Sequence, residues 1–297
     1  MNLEQAFYTQ RFEILFLRSR GDEFQSFFER LMSFAYKADF MACKPWGREG
    51  DHKNDGFLKS ERTLFQVYAP NEMKQSFAVS KIKSDFTDAM KYFGVHFDKW
   101  VFVHNAWDGL PPHIQSLMLD FEKENPGVEL KPWGLEELRS VFEKLNSEDL
   151  FLWFGAVPND ETKRNLGFKD LQVVLETIAG RPVPLILNVT DVPAGKLEAN
   201  ALSDNVHELL KTGMKKASLV RDFFEQWYDE TLGERLAEAF RAKYLELRGK
   251  FTPNLIFDEL QTWAGGNEHG LPEHQLAVLT ILAYYFERCD IFEEPRE

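Results

Sequence analysis

Hydrophobic positions in the first 37 residues recur at spacings of three and four. Phe24, Phe27, Phe28, Leu31, Met32 and Phe34 form one stripe after Gly21-Asp22. This period predicts helix over residues 3–37, with the Gly21-Asp22 break opening a second helix. ADFMACKPW reads as a short apolar strand or connector, with Pro45 ending any helix. DGFLKS and TLFQVYAP read as two strands joined by the charged turn from Lys59 to Arg62. Strand alternation puts Phe65, Val67 and Ala69 on one face, and Gln66 and Tyr68 on the other. Pro70 closes the hairpin.

Residues 76–93 are amphipathic, with Phe77, Ile82, Phe86, Ala89, Met90 and Phe93 on a helical stripe. KWVFVHNAW is a continuous apolar run and predicts a buried strand. PPHIQSLMLDFEKEN predicts a helix whose two prolines suit its first turn. GVELKPWG follows as a strand and LEELRSVFEKL as a helix. Interleaving after an initial hairpin predicts an α/β domain over residues 1–150, a mixed central sheet flanked by helices. Residues 146–165 read as a linker with an embedded aromatic patch. From residue 166 to 297 the pattern is helical throughout, which predicts an all-α second domain. PEHQLAVLTILAYYFERC is apolar nearly all round and is expected to be buried.

Composition narrows the class. Hydrophobic residues make up 44% of the 297, with 27 Phe and 7 Trp, enough for a sizeable core. No run of about 18 apolar residues occurs, so no membrane span is expected. The start, MNLEQAFYTQRFE, does not read as a signal peptide. Cys43 and Cys289 fall outside CxxC or Cys/His ligand spacing, which predicts reduced thiols and a cytoplasmic protein. The net charge of −13 argues against broad, non-specific nucleic-acid binding. It is uneven: residues 1–148 hold 19 Lys+Arg against 23 Asp+Glu, a net of −4, and residues 149–297 hold 16 against 25, a net of −9. Residues 44–91 hold 9 basic to 7 acidic residues and leave room for local positive potential.

The candidate chemistry lies at the hairpin. A hard divalent cation, Mg²⁺ or Mn²⁺, takes oxygen ligands and can activate water for phosphodiester cleavage. Asp55 at the loop-to-strand junction suits a first ligand, Gln66 across the hairpin a second, and Glu23 on the early helix a third. Asp51 either supports that site or caps the loop. The bland reading of Asp51, Asp55 and Gly56 is a charged hairpin with an Asx turn. Glu23 could equally be a solvated acid at a helix start. His104-Asn105 reads as a satisfied structural pair, and Trp227-Tyr228 and LFLWFG as packing. No GxxxxGK[ST] or GxGxxG occurs, so nucleotide hydrolysis would belong to a partner.

Residues 20–145 resemble the Mrr-like branch of the PD-(D/E)XK restriction-endonuclease superfamily. The resemblance rests on RGDEFQSFFERLM as its Gly-x-x-Phe helix, GDHKNDG as its aspartate-glycine motif, and FQVY where that branch has Gln-x-Lys. It implies a restriction-endonuclease-like fold and a metal-dependent deoxyribonuclease. Asp55 and Gln66 would hold the metal, with Glu23 as the helix acid. The sequence departs from the pattern at Tyr68, which stands in the lysine position. Either Lys81 or Lys83 on the next helix replaces that lysine, with loop-borne Lys74 a third choice, or the site is degenerate and the fold serves as an adaptor. Across nearly the whole chain, GDHKNDG, TLFQVYAP, KIKSDF, KLEANAL, LLKTGMKKASLVRDFF and GERLAEAFRAKY resemble an effector component of bacterial ABC-three-component anti-phage systems. That resemblance implies an ATPase partner docked on the helical domain, and the nuclease resemblance implies DNA as substrate. The oligomeric state stays open, a homodimer included.

Overall fold

The computed structural model describes residues 2–43, 54–180, 200–265, 270–288 and 291–292. Asp51 lies outside the described residues. The chain forms two compact units, one of residues 15–150 and one of residues 1–14 with 151–297. The sequence reading opened the α/β domain at residue 1, whereas the first fourteen residues group with the helices.

In the α/β unit, α2 (Gly21–Tyr36) precedes β1 (Phe40–Ala42), β2 (Gly56–Leu58) and β3 (Thr63–Tyr68). Then come α3 (Gln75–Phe93), β4 (Lys99–His104), α4 (Pro112–Glu124), β5 (Glu129–Trp133) and α5 (Leu135–Phe142). The five strands form one sheet in the order β1-β2-β3-β4-β5. The first two pairings are antiparallel and the last two parallel. Each parallel step is crossed by a helix, as such connections require.

Alternation divides the sheet residues between two faces. Leu64, Trp100, Phe102 and Leu130 pack with Ala78, Ile82, Phe86 and Ala89 of α3 and Ile114 and Met118 of α4. On the other face Phe65 lies among the rings of Phe28, Phe40 and Trp133, with centroids 5.3, 6.2 and 5.1 Å away. Gly56 owes its identity to this packing: a Cβ there would lie 2.5 Å from the Phe40 ring.

In the helical unit, α1 (Leu3–Arg18) contributes its residues through Ile14. The predicted linker is largely helical. It forms α6 (Ser147–Phe154) and α7 (Asp160–Asn165), the latter capped by Asn159, whose side chain accepts from the Glu161 and Thr162 N–H groups at 3.0 Å. There follow α8 (Phe168–Ala179), α9 (Asp204–Met214), α10 (Ala217–Gln226), α11 (Leu232–Leu247), α12 (Pro253–Trp263) and α13 (Pro272–Glu287). As its all-round apolar pattern predicts, α13 is buried from His274 to Phe286. Arg11 ties α1 to this core, donating to the Phe154 carbonyl and, at 2.8 Å, to Gln275 Oε1. The Tyr8 hydroxyl donates to the Gly155 carbonyl at 3.1 Å. Tyr228 departs from the packing expectation: α10 ends at Gln226, and the Tyr228 ring, tilted against Trp227, is 88% exposed. No helix among the described residues is long and apolar enough to cross a membrane.

Candidate functional site

The hairpin register builds the site. Gly56 pairs with Phe65, so Asp55, one step earlier, stands opposite Gln66. The Asp55 N–H donates to the Phe65 carbonyl at 2.9 Å. Asp55 is only 3% exposed, and its Oδ2 accepts two short hydrogen bonds, from Gln66 Nε2 and from the Val67 N–H, each 2.6 Å. The Asx turn is made by the neighbouring residue: Asn54 Oδ1 accepts from the Gly56 N–H at 3.0 Å. Asn54 thus takes the turn role and leaves the Asp55 carboxylate for the strand.

Gln66 is buried on the α3 face. Its amide orientation is set by Asp55, because a flipped amide would put Oε1 against a carboxylate oxygen. Its Oε1 is therefore a buried acceptor with no hydrogen-bond partner. Such an orphan is costly and calls for a hydrogen-bond donor, a water or an ion.

Tyr68 shares that face, its ring 5.9 Å from Phe102. Burial, and then the negative charge of Asp85, push its phenol above the ordinary tyrosine range. Asp85 is the residue that sequence reasoning missed. It is fully buried on α3, and Lys81 Nζ lies 2.8 Å from its Oδ2, one helical turn away. The available signal was a carboxylate inside the apolar stripe Ile82, Phe86 and Ala89, four residues after a lysine. Of the three lysines considered for the missing charge, Lys81 is the one held inward, its side chain 32% exposed. Lys83 is exposed on α3, and Lys74 is exposed and paired with Glu72 at 3.2 Å.

Glu23 occupies the first turn of α2 and is exposed. The Gly21 N–H donates to the Ala69 carbonyl at 2.7 Å, which brings this turn to the C-terminal end of β3. Among the described residues no group of three or more His, Cys, Asp or Glu is placed to hold a metal ion.

His104 and Asn105 end β4. His104 pairs with Tyr68 in the parallel ladder, and its Nδ1 accepts from the Ala106 N–H at 3.2 Å, which assigns the ring proton to Nε2. The ring packs so closely on Gly134 that a Cβ there would lie 2.9 Å from Cε1. Burial lowers its pKa to about 4, so it is neutral near pH 7. The Asn105 amide donates to the Pro70 carbonyl at 3.2 Å. Both residues have the satisfied, structural character expected of them.

No curated protein and no solved structure matches the chain. Residues 169–293, however, match the family described as C-terminal domain 10 of the ABC-three component (ABC-3C) systems, which links this segment of the chain to such systems.

Proposed function

We propose that the α/β unit is a metal-dependent deoxyribonuclease of restriction-endonuclease-like fold, and that the helical unit docks an ATPase partner that governs it within an ABC-3C system. The observation that carries this reading is the Asp55–Gln66 pair, joined at 2.6 Å across the β2–β3 hairpin, with an orphaned Gln66 Oε1 beside it. An antiparallel hairpin continued by a parallel strand supports the fold. A carboxylate and an amide oxygen are the donor types that Mg²⁺ or Mn²⁺ prefers, so the residues present fit such an ion. When bound, the ion would supply an activated water and neutralise charge on the phosphate. Asp55 and Gln66 would hold it, with Glu23 approaching from the first turn of α2. Lys81, paired with Asp85 at 2.8 Å, would supply the positive charge that Tyr68 lacks. The Tyr68 phenol, protonated at neutral pH, donates a hydrogen bond but carries no fixed charge.

A second reading, a nuclease fold retained as a non-cleaving adaptor, is favoured by Tyr68 in the lysine position and by the two hydrogen bonds already made to Asp55 Oδ2. The two readings separate in a cleavage assay on duplex DNA with Mg²⁺ or Mn²⁺, using the purified chain alone and with its ATPase partner. The nuclease reading expects cleavage that drops at least about 100-fold in Asp55→Asn and in Lys81→Ala. Wild-type rates in folded Asp55→Asn protein would end it.

A further inference from the structure

The outward face of α3 has a composition at odds with the rest of the chain. Six of its exposed residues form two adjoining ridges at a spacing of four, Ser76, Ser80 and Ser84 beside Lys83, Thr87 and Lys91, with Gln75, Phe77 and Tyr92 exposed towards its two ends. The protein carries 48 acidic residues against 35 basic ones, yet none of the exposed residues of this 19-residue helix is acidic. Its two carboxylates are withdrawn: Asp85 is fully buried against Lys81, and Asp88 is half-buried. Lys91 contacts the hydroxyl and ring of Tyr92, neither of which consumes its charge.

Lysine ammonium groups interleaved with serine and threonine hydroxyls are the side chains that grip phosphate oxygens without reading sequence. From Ser76 to Lys91 the ridges run about 22 Å along the helix. At about 3.4 Å per phosphate along one strand, that matches roughly six phosphates. The same helix carries the Lys81–Asp85 pair, and Asp85 acts on Tyr68, so this face belongs to the element that borders the candidate site.

We infer that the exposed face of α3 docks the phosphodiester backbone of a nucleic acid through Lys83, Lys91 and the serine and threonine hydroxyls. The choice of polymer rests on the nuclease reading, but docking itself requires neither metal nor cleavage. The withdrawal of Asp85 by Lys81 then has a second effect: it removes a negative charge from the docking helix.

The test is fluorescence anisotropy in EDTA with labelled duplex DNA, single-stranded DNA and RNA, over about 50 to 200 mM salt. The wild-type chain is expected to bind at least one of the three, and the preferred polymer identifies the source of the backbone. In Lys83→Gln/Lys91→Gln, affinity should fall roughly tenfold at the low-salt end and the salt slope by about two. Lys169→Gln/Lys215→Gln, the same charge change on exposed lysines of the helical unit, should bind like wild type. Equal affinity and slope in the α3 variant overturn the inference, as do an equal loss in the control or no wild-type binding to any polymer. Thermal melts establish that both variants fold. Asp55→Asn separates the two proposals: retained binding without cleavage supports both, whereas retained binding with undiminished cleavage removes the nuclease assignment and leaves the docking face intact.

Discussion

The two faces of the five-stranded sheet are built from the same strands but differ in kind. One is an aromatic layer in which Phe65 meets Phe28, Phe40 and Trp133. The other is apolar at one end, where Leu64, Trp100 and Leu130 meet α3 and α4, and polar at the other, where Gln66, Tyr68 and His104 lie. Burial of polar groups is expensive unless each is matched. Several on this face are matched, by Asp55, by Ala106 or by Lys81, while Gln66 Oε1 and the Trp100 indole N–H have no hydrogen-bond partner. One face therefore holds the unit together, and the other spends part of its packing on buried polar groups.

The largest expected effect falls on the aromatic face. Phe65→Ala empties a fully buried ring site and should lower stability in urea unfolding by about 4 kcal/mol. It should leave the alkaline titration of Tyr68 on the opposite face where it was. A loss below about 1 kcal/mol would mean that the aromatic layer is not the structural one.

The next effect belongs to His104. Its pKa in the folded chain is lowered to about 4, below the value of about 6.5 expected for the unfolded chain. The unfolded state therefore takes up the proton first as the pH falls, so acid favours unfolding. The neutral ring's contribution is intact above about pH 6.5, declines between there and pH 4, and is gone below, a change of about 3 kcal/mol. The difference in stability between wild type and His104→Gln, followed from pH 7 to 4, should show that decline. A flat difference would place the histidine outside the buried network.

The smallest effect tests the link between α3 and the sheet. Asp85→Asn removes the negative charge that helps raise the Tyr68 pKa, so the phenol should ionise at lower pH in ultraviolet titration. Because burial is the larger cause, the value should remain above that of a free tyrosine. An unchanged titration would uncouple Asp85 from this face.

Much of this was legible in the chain. Alternation in TLFQVYAP and the apolar run of WVFV defined β3 and β4, because a period of two has few other structural outlets. The opposition of Asp55 and Gln66 follows from the hairpin register, which the short turn around Lys59 to Arg62 limits strongly. Asp85 was less legible because helical periodicity marks position 85 as buried without saying that Lys81 would neutralise it there. The segment from 146 to 165 read as a linker because its two helices are short, and short helices owe their stability to caps and docking rather than to propensity. The membership of residues 1–14 in the helical unit has no local signature at all. It depends on Arg11 finding Gln275, a contact across 264 positions.

That last contact also orders events during synthesis. The first helix leaves the ribosome long before α13 exists. At about 5–20 residues per second, its arginine waits roughly 10 to 50 s for the glutamine it binds. The α/β unit, encoded in between, can fold first; the first helix then meets Phe154 and Gly155, and its bond to Gln275 is completed late.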